Sequence, residues 1–187
     1  MDDFALTASS LSYRRNIQLL QYYYSAIEVK GTRLGVCFSL PKTELIHWRT
    51  PKDRDPPSSS PIHLDGEPFH PKIELRSLGY WFTPSLSPTS NFTKRLAKAQ
   101  AAFVVVKRLS QPGMGLPPFL YHRLASSLLF PILTYGGEVF ARSAHTIRTM
   151  SSFWHKVQRS TTNCFICTPT NILAIEACLP LPNLLLG

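Results

Sequence analysis

Ile73-Glu74-Leu75-Arg76-Ser77-Leu78-Gly79-Tyr80-Trp81-Phe82-Thr83-Pro84 is where the chain changes character. Up to Phe82 the stretch is short and rich in apolar and aromatic side chains, the composition of a small hairpin or of paired strands. Past Pro84 the apolar residues fall at helical spacing instead. Phe92, Leu96, Ala99, Phe103 and Val106 line one face of a helix expected over 90–110. Lys94, Arg95 and Lys98 lie on another face of that helix, and Lys107 and Arg108 fall in its last turn. The fold class expected from this switch is α+β. Short strands with one helix occupy 1–84, and an all-helical region occupies 85–187.

Upstream of the switch, Ile62-His63-Leu64 and the turn residues Asp65-Gly66 belong with Ile73 to Phe82 to that small hairpin or set of paired strands. Residues 50–61 are polar, proline-rich and without period, so an exposed loop is expected. Glu44–Trp48 and Val36–Ser39 read as strands flanking a turn at Pro41. Apolar residues at 17, 20, 24 and 27 predict a helix from Leu11 to near Arg33, ended by Gly31 or Gly35. Residues 4–8 read as the end of a strand, with Ser9-Ser10 as a turn or helix cap. Downstream, Gln111 to Pro118 is a glycine- and proline-containing break. Helices are expected at 118–140 and 143–166, the first kinked at Pro131. One more short helix fits between Pro169 and Cys178, stopped by Leu179-Pro180-Leu181-Pro182.

At 187 residues and 44% hydrophobic content, the chain can bury a core. The net charge of +9 is unevenly spread. Residues 1–76 carry ten Lys or Arg against nine Asp or Glu, whereas 77–187 carry ten against Glu138 and Glu176 alone. Such asymmetry implies either a polyanionic partner for the second half or a merely solvated basic surface. Cys164-Phe165-Ile166-Cys167 has the spacing of half a zinc site. Neither Cys37, Cys178 nor any histidine stands at a matching distance, so no zinc is expected. His47, His63, His70, His122, His145 and His155 show no metal spacing either. The four cysteines do not form a secreted framework and no signal peptide precedes them. The longest apolar stretch, Leu124 to Tyr135, is too short to cross a bilayer, so an intracellular protein without a membrane partner is expected.

Several short motifs carry a resemblance through their order. Asp2-Asp3-Phe4-Ala5 is similar to the aromatic-any-Asp-Asp turn of reverse transcriptases, with Met1 at the variable position and the aromatic missing. Leu40-Pro41-Lys42-Thr43-Glu44, followed by Ile46-His47-Trp48, is similar to the next palm motif. Leu78-Gly79-Tyr80-Trp81-Phe82 resembles the primer-grip hairpin. Leu124-Ala125-Ser126-Ser127, Leu133-Thr134-Tyr135-Gly136 and Thr168-Pro169-Thr170 through Glu176 are similar to the thumb and following region of non-LTR retrotransposon polymerases, especially fungal ones. Over nearly its whole length the chain thus resembles the C-terminal palm and thumb of a non-LTR retrotransposon reverse transcriptase.

The resemblance implies an RNA-directed DNA polymerase, a nucleotidyltransferase using two Mg²⁺ ions held by carboxylates. Asp2 and Asp3 would be its catalytic metal ligands, and Lys42 would lie near the triphosphate leaving group. Leu78, Gly79 and Tyr80 would form the primer-grip-like turn. Lys94, Arg95, Lys98, Lys107, Arg108 and Arg123 would track the phosphates of an RNA or DNA template–primer duplex. The family takes at least one further aspartate from an earlier strand, which would lie upstream of Met1. The isolated chain is therefore expected to be inactive and to hold Mg²⁺ poorly, although nuclear residence would follow from the family. Two alternatives stand beside this expectation: a non-catalytic basic nucleic-acid-binding module, and an inert retroelement relic. Residue by residue, the plain counterparts are an acidic frayed terminus, a solvated turn lysine, core-packing aromatics and a solvated helix face.

Overall fold

The computed structural model describes residues 4–49, 61–64, 66–109, 115–137 and 143–181. Its architecture is mixed α+β, with helices and two separate two-stranded antiparallel sheets. The chain divides into two compact units, Met1–Ser87 and Pro88–Gly187.

In the first unit, helix α1 spans Tyr13–Arg33. Ser10 organises its start: the Ser12 N–H donates to Ser10 Oγ at 3.3 Å, and that hydroxyl donates to the Ser12 carbonyl at 2.9 Å. At the other end the chain turns back on itself. The Leu34 and Val36 N–H groups both donate to the Gly31 carbonyl, at 2.9 and 2.8 Å, and Gly35 takes the left-handed conformation at φ +72°. Gly31 is buried there, and a Cβ on it would stand 3.0 Å from Phe38 and 3.1 Å from the Val36 carbonyl. Strands β1 (Ile62–Leu64) and β2 (Glu67–Phe69) pair antiparallel with Ile62 opposite Phe69. Strands β3 (Leu75–Ser77) and β4 (Tyr80–Phe82) do the same with Leu75 opposite Phe82.

Three strand expectations fail in this unit. Residues 4–8, 36–39 and 44–48 have no regular structure. An apolar pattern makes a strand only when a neighbour supplies successive backbone bonds. Here the Val36 N–H is spent on the helix end. The 43–49 segment gains isolated bonds, from the Lys72 N–H to the Leu45 carbonyl (2.8 Å) and from the Arg49 N–H to the Pro84 carbonyl (2.7 Å). Pro84 has no N–H with which to return the second bond, so no ladder extends from it. The expected 50–61 loop lies outside the described residues except for Pro61.

In the second unit, α2 (Thr89–Leu109) is followed by α3 (Pro118–Leu124), a wide π-type turn over Ala125–Leu129, and α4 (Phe130–Thr134). Helix α5 spans Ala144–Thr162 and α6 spans Thr170–Ala177. Just before Pro131, where the sequence predicts a kink, the helix widens into this π turn. The Phe130 N–H reaches back to the Ala125 carbonyl, while Ser126 and Ser127 hydroxyls donate to the His122 and Arg123 carbonyls at 3.0 and 2.6 Å. Helix α4 stops at Thr134, short of the expected residue 140. Gly136 follows at φ +73°, and residues 138–142 lie outside those described. Helix α5 likewise ends before residue 166, on Asn163 in the left-handed conformation that asparagine tolerates.

The core belongs mostly to this unit. Phe92, Ala99 and Val106 of α2 pack with Tyr121, Leu129 and Leu133 and with Met150, Phe153, Trp154 and Val157 of α5. Phe103 meets Phe153 edge-on at 5.7 Å, and Phe130 meets Trp154 at 5.1 Å. In α5 the buried residues recur three and four apart, so burial of this stripe fixes which face of the helix remains outside.

Candidate nucleic-acid interface

Asp2 and Asp3 lie outside the described residues. Among the described residues, no group of three or more His, Cys, Asp or Glu is close enough to hold a metal ion. Lys42 is exposed at the end of a single 3₁₀ turn, Leu40–Lys42. The neighbouring Glu44 is paired with Lys72 at 2.6 Å, an exposed ion pair of small energetic weight.

Leu78 and Gly79 form the tip of the β3–β4 hairpin, at φ +49° and +78°. Positive φ at both central residues suits the twist of a two-residue hairpin. Leu78 is exposed, whereas Tyr80 packs its ring 5.0 Å from that of Phe82, and burial pushes its phenol above the ordinary value. The guanidinium of Arg76 lies 5.8 Å from the Trp81 ring centroid, across the register from it. These aromatics pack within the hairpin and against Trp48, whose ring stands 6.4 Å from that of Phe82.

In the second unit the basic residues of α2 part company. Lys94 and Lys98 are four apart and share one face with Arg108 on the outer side of the helix. Arg95 sits on a flank of the apolar stripe, and its guanidinium lies 4.0 Å over the Tyr135 ring. So stacked, it stiffens the α2–α4 junction as well as carrying charge. Lys107, seven residues after Gln100, occupies the opposite flank. Arg123 is exposed on α3.

A basic surface with two shallow, open depressions lies elsewhere, along α5. Leu96 and Gln100 of α2 line a cleft with His145, Arg148, Ser152 and Lys156 of α5. A second cleft shares Arg148, Ser152 and Lys156 and runs past Ser151, His155 and Arg159 to Thr170 at the start of α6. Among the described residues, no acidic side chain lines either one. His145, Arg148, Ser152, Lys156 and Arg159 recur at three- and four-residue spacing, opposite the buried Met150, Phe153, Trp154 and Val157. Leu96 and Gln100 stand two residues out of phase with Lys94 and Lys98, about 200° around the helix at 100° per residue. The lysine pair therefore faces away from the cleft.

The charged side chains that line the two clefts among the described residues are all of one sign. Burial, and then the charge of Arg159, hold the His155 imidazole below its ordinary value. Arg159 is itself half-buried, and its Nη2 donates a long 3.5 Å bond to the Thr168 carbonyl. Cations beside hydroxyl donors and free of carboxylates are what a chain of phosphates recognises. The signal for this surface was present in the sequence, as a basic and hydroxyl face on the helix expected at 143–166. It was missed because the histidines were read singly.

No helix of the described residues is long and apolar enough to cross a membrane. Comparison with known proteins yields no match among family models, curated proteins or solved structures.

Proposed function

We propose that the helical unit binds the phosphate backbone of a nucleic acid along α5. The observation that carries this reading is the pair of adjoining clefts lined by Arg148, Lys156, Arg159, His145 and His155, with no carboxylate among their described lining residues. Side chains contributing only charge and hydroxyl donors position a backbone and do not read bases, so the binding is not sequence-specific. Fluorescence anisotropy with a labelled oligonucleotide over a salt series tests this. Affinity should fall steeply with salt, and Arg148→Ala with Lys156→Ala should flatten the log–log slope by about two. Binding indifferent to salt or to that pair would overturn the reading.

The second reading is descent from a non-LTR retrotransposon reverse transcriptase. It is supported by the hairpin at Leu78-Gly79-Tyr80 and by the helices that succeed it. On this reading Asp2 and Asp3 are the Mg²⁺-binding pair of the polymerase, and Lys42 stands by the leaving group. Two adjacent carboxylates are fewer ligands than two hard divalent ions require. The 187-residue chain should therefore not extend a primer in Mg²⁺. Extension abolished by Asp2→Asn would reverse the inactivity and establish the polymerase reading directly.

A further inference from the structure

We infer that the loop joining α5 to α6 makes the basic cleft a binder of single-stranded nucleic acid, with Phe165 as the platform for one unpaired base. The inference rests on the nucleic-acid reading above and takes it from backbone to strandedness. Phe165 and Ile166 are 82% and 89% exposed, side by side on a loop of the most basic part of the chain.

The loop is tied to the cleft and closed by its own bonds. Its Thr168 N–H donates to the Phe165 carbonyl at 3.1 Å, which makes Phe165 the first residue of a turn. The Thr168 carbonyl in turn accepts from Arg159, which lines the cleft, and Thr170 two residues on lines it as well. An exposed aromatic is thereby tied, through Thr168, to Arg159 at one end of the row of basic side chains. That pairing of a basic track with an aromatic face is the physical requirement for single-strand binding. Every base offers a π-face, and a duplex hides all but its end faces.

A lipid surface fits less well. The charges sit on α5, whose apolar stripe is already buried in the core and cannot enter a bilayer. What the loop leaves outside at its tip is Phe165, Ile166 and Cys167, a short run with no basic residue of its own.

The test compares labelled oligothymidylate with a blunt DNA duplex of matched length, using the full chain and its Phe165→Ala and Phe165→Trp variants. Phe165 is exposed, so neither substitution removes a core contact. Phe165→Ala should weaken oligothymidylate binding about tenfold, the equivalent of one lost base stack, and leave duplex affinity unchanged. Phe165→Trp should keep the affinity and show indole emission quenched on binding. If Phe165→Ala changes neither ligand while both still bind with steep salt dependence, the stacking inference falls and the backbone reading stands. If neither ligand binds, both fall. If the chain ignores both oligonucleotides but binds phosphatidylserine vesicles in a Phe165-dependent way, the loop is a membrane contact and the inference is overturned.

Discussion

Leu78 shows how much one backbone angle can say. At φ +49° a leucine bears the crowding of its Cβ against its own backbone, which glycine escapes and asparagine tolerates. Leu78→Asn should therefore stabilise the hairpin by about 1 kcal/mol, seen as a raised thermal midpoint. His155 makes the second prediction at this scale. Its native pKa lies below the ordinary 6.5, so the unfolded chain binds more protons as pH falls through that value. This contribution to stability is whole above about pH 6.5 and is lost below it, as acidification continues toward the native pKa. Thermal midpoints between neutral and mildly acidic pH should drop less in His155→Gln than in the unaltered chain. Ligand binding responds with the opposite sign, since protonating His155 adds a charge to the cleft and a bound polyanion raises its pKa.

Among the elements, α2 carries five Lys or Arg and α5 three, on surfaces of different kinds. Lys94 and Lys98 stand on the outer face of α2, away from the cleft, whereas Arg148 and Lys156 line a concavity. Low-dielectric walls concentrate the field of charges in a cleft, and convex ones leave it to be screened. Neutralising Lys94 and Lys98 together should cost less oligonucleotide affinity than neutralising Arg148 and Lys156. Anisotropy titrations at one salt concentration decide it, and an equal or larger loss from the α2 pair would move the interface to that face. The break between α3 and α4 belongs to this scale too. Pro131 withholds one backbone donor, and the helix answers with a wider turn closed by serine hydroxyls.

At the scale of the molecule, the two units differ in what holds them. Among the described residues of the first, the buried apolar side chains are Ile62 and Leu64, and each sheet has two strands. Isolated two-stranded hairpins are marginal in water. The second unit holds the rest of the buried apolar set, with Trp154, Tyr121, Leu129, Leu133 and Met150 almost fully enclosed. Residues 88–187 expressed alone should unfold cooperatively by circular dichroism and keep the oligonucleotide affinity of the full chain. Residues 1–87 alone should show a broad transition or aggregate. A sharp transition in the shorter piece and none in the longer would reverse the assignment.

Sequence alone determined what depends on near neighbours. The periodicities of α1, α2 and α5, the short strand-like stretches at 62–64 and 73–82, the break near Pro131 and the one-sided charge of the second half all follow from residues a few positions apart. Tertiary structure decided what depends on distant partners. Residues 4–8, 36–39 and 44–48 have strand-like patterns but no ladder, because a strand exists only through the backbone bonds of its neighbour. Arg95 lies over Tyr135, forty residues away, and no spacing along α2 foretells that. The basic cleft needed both kinds of information. The polar face of α5 is written at helical spacing, but its concavity comes from the packing of α2 and α6 beside it, which sets Leu96, Gln100 and Thr170 against those cations.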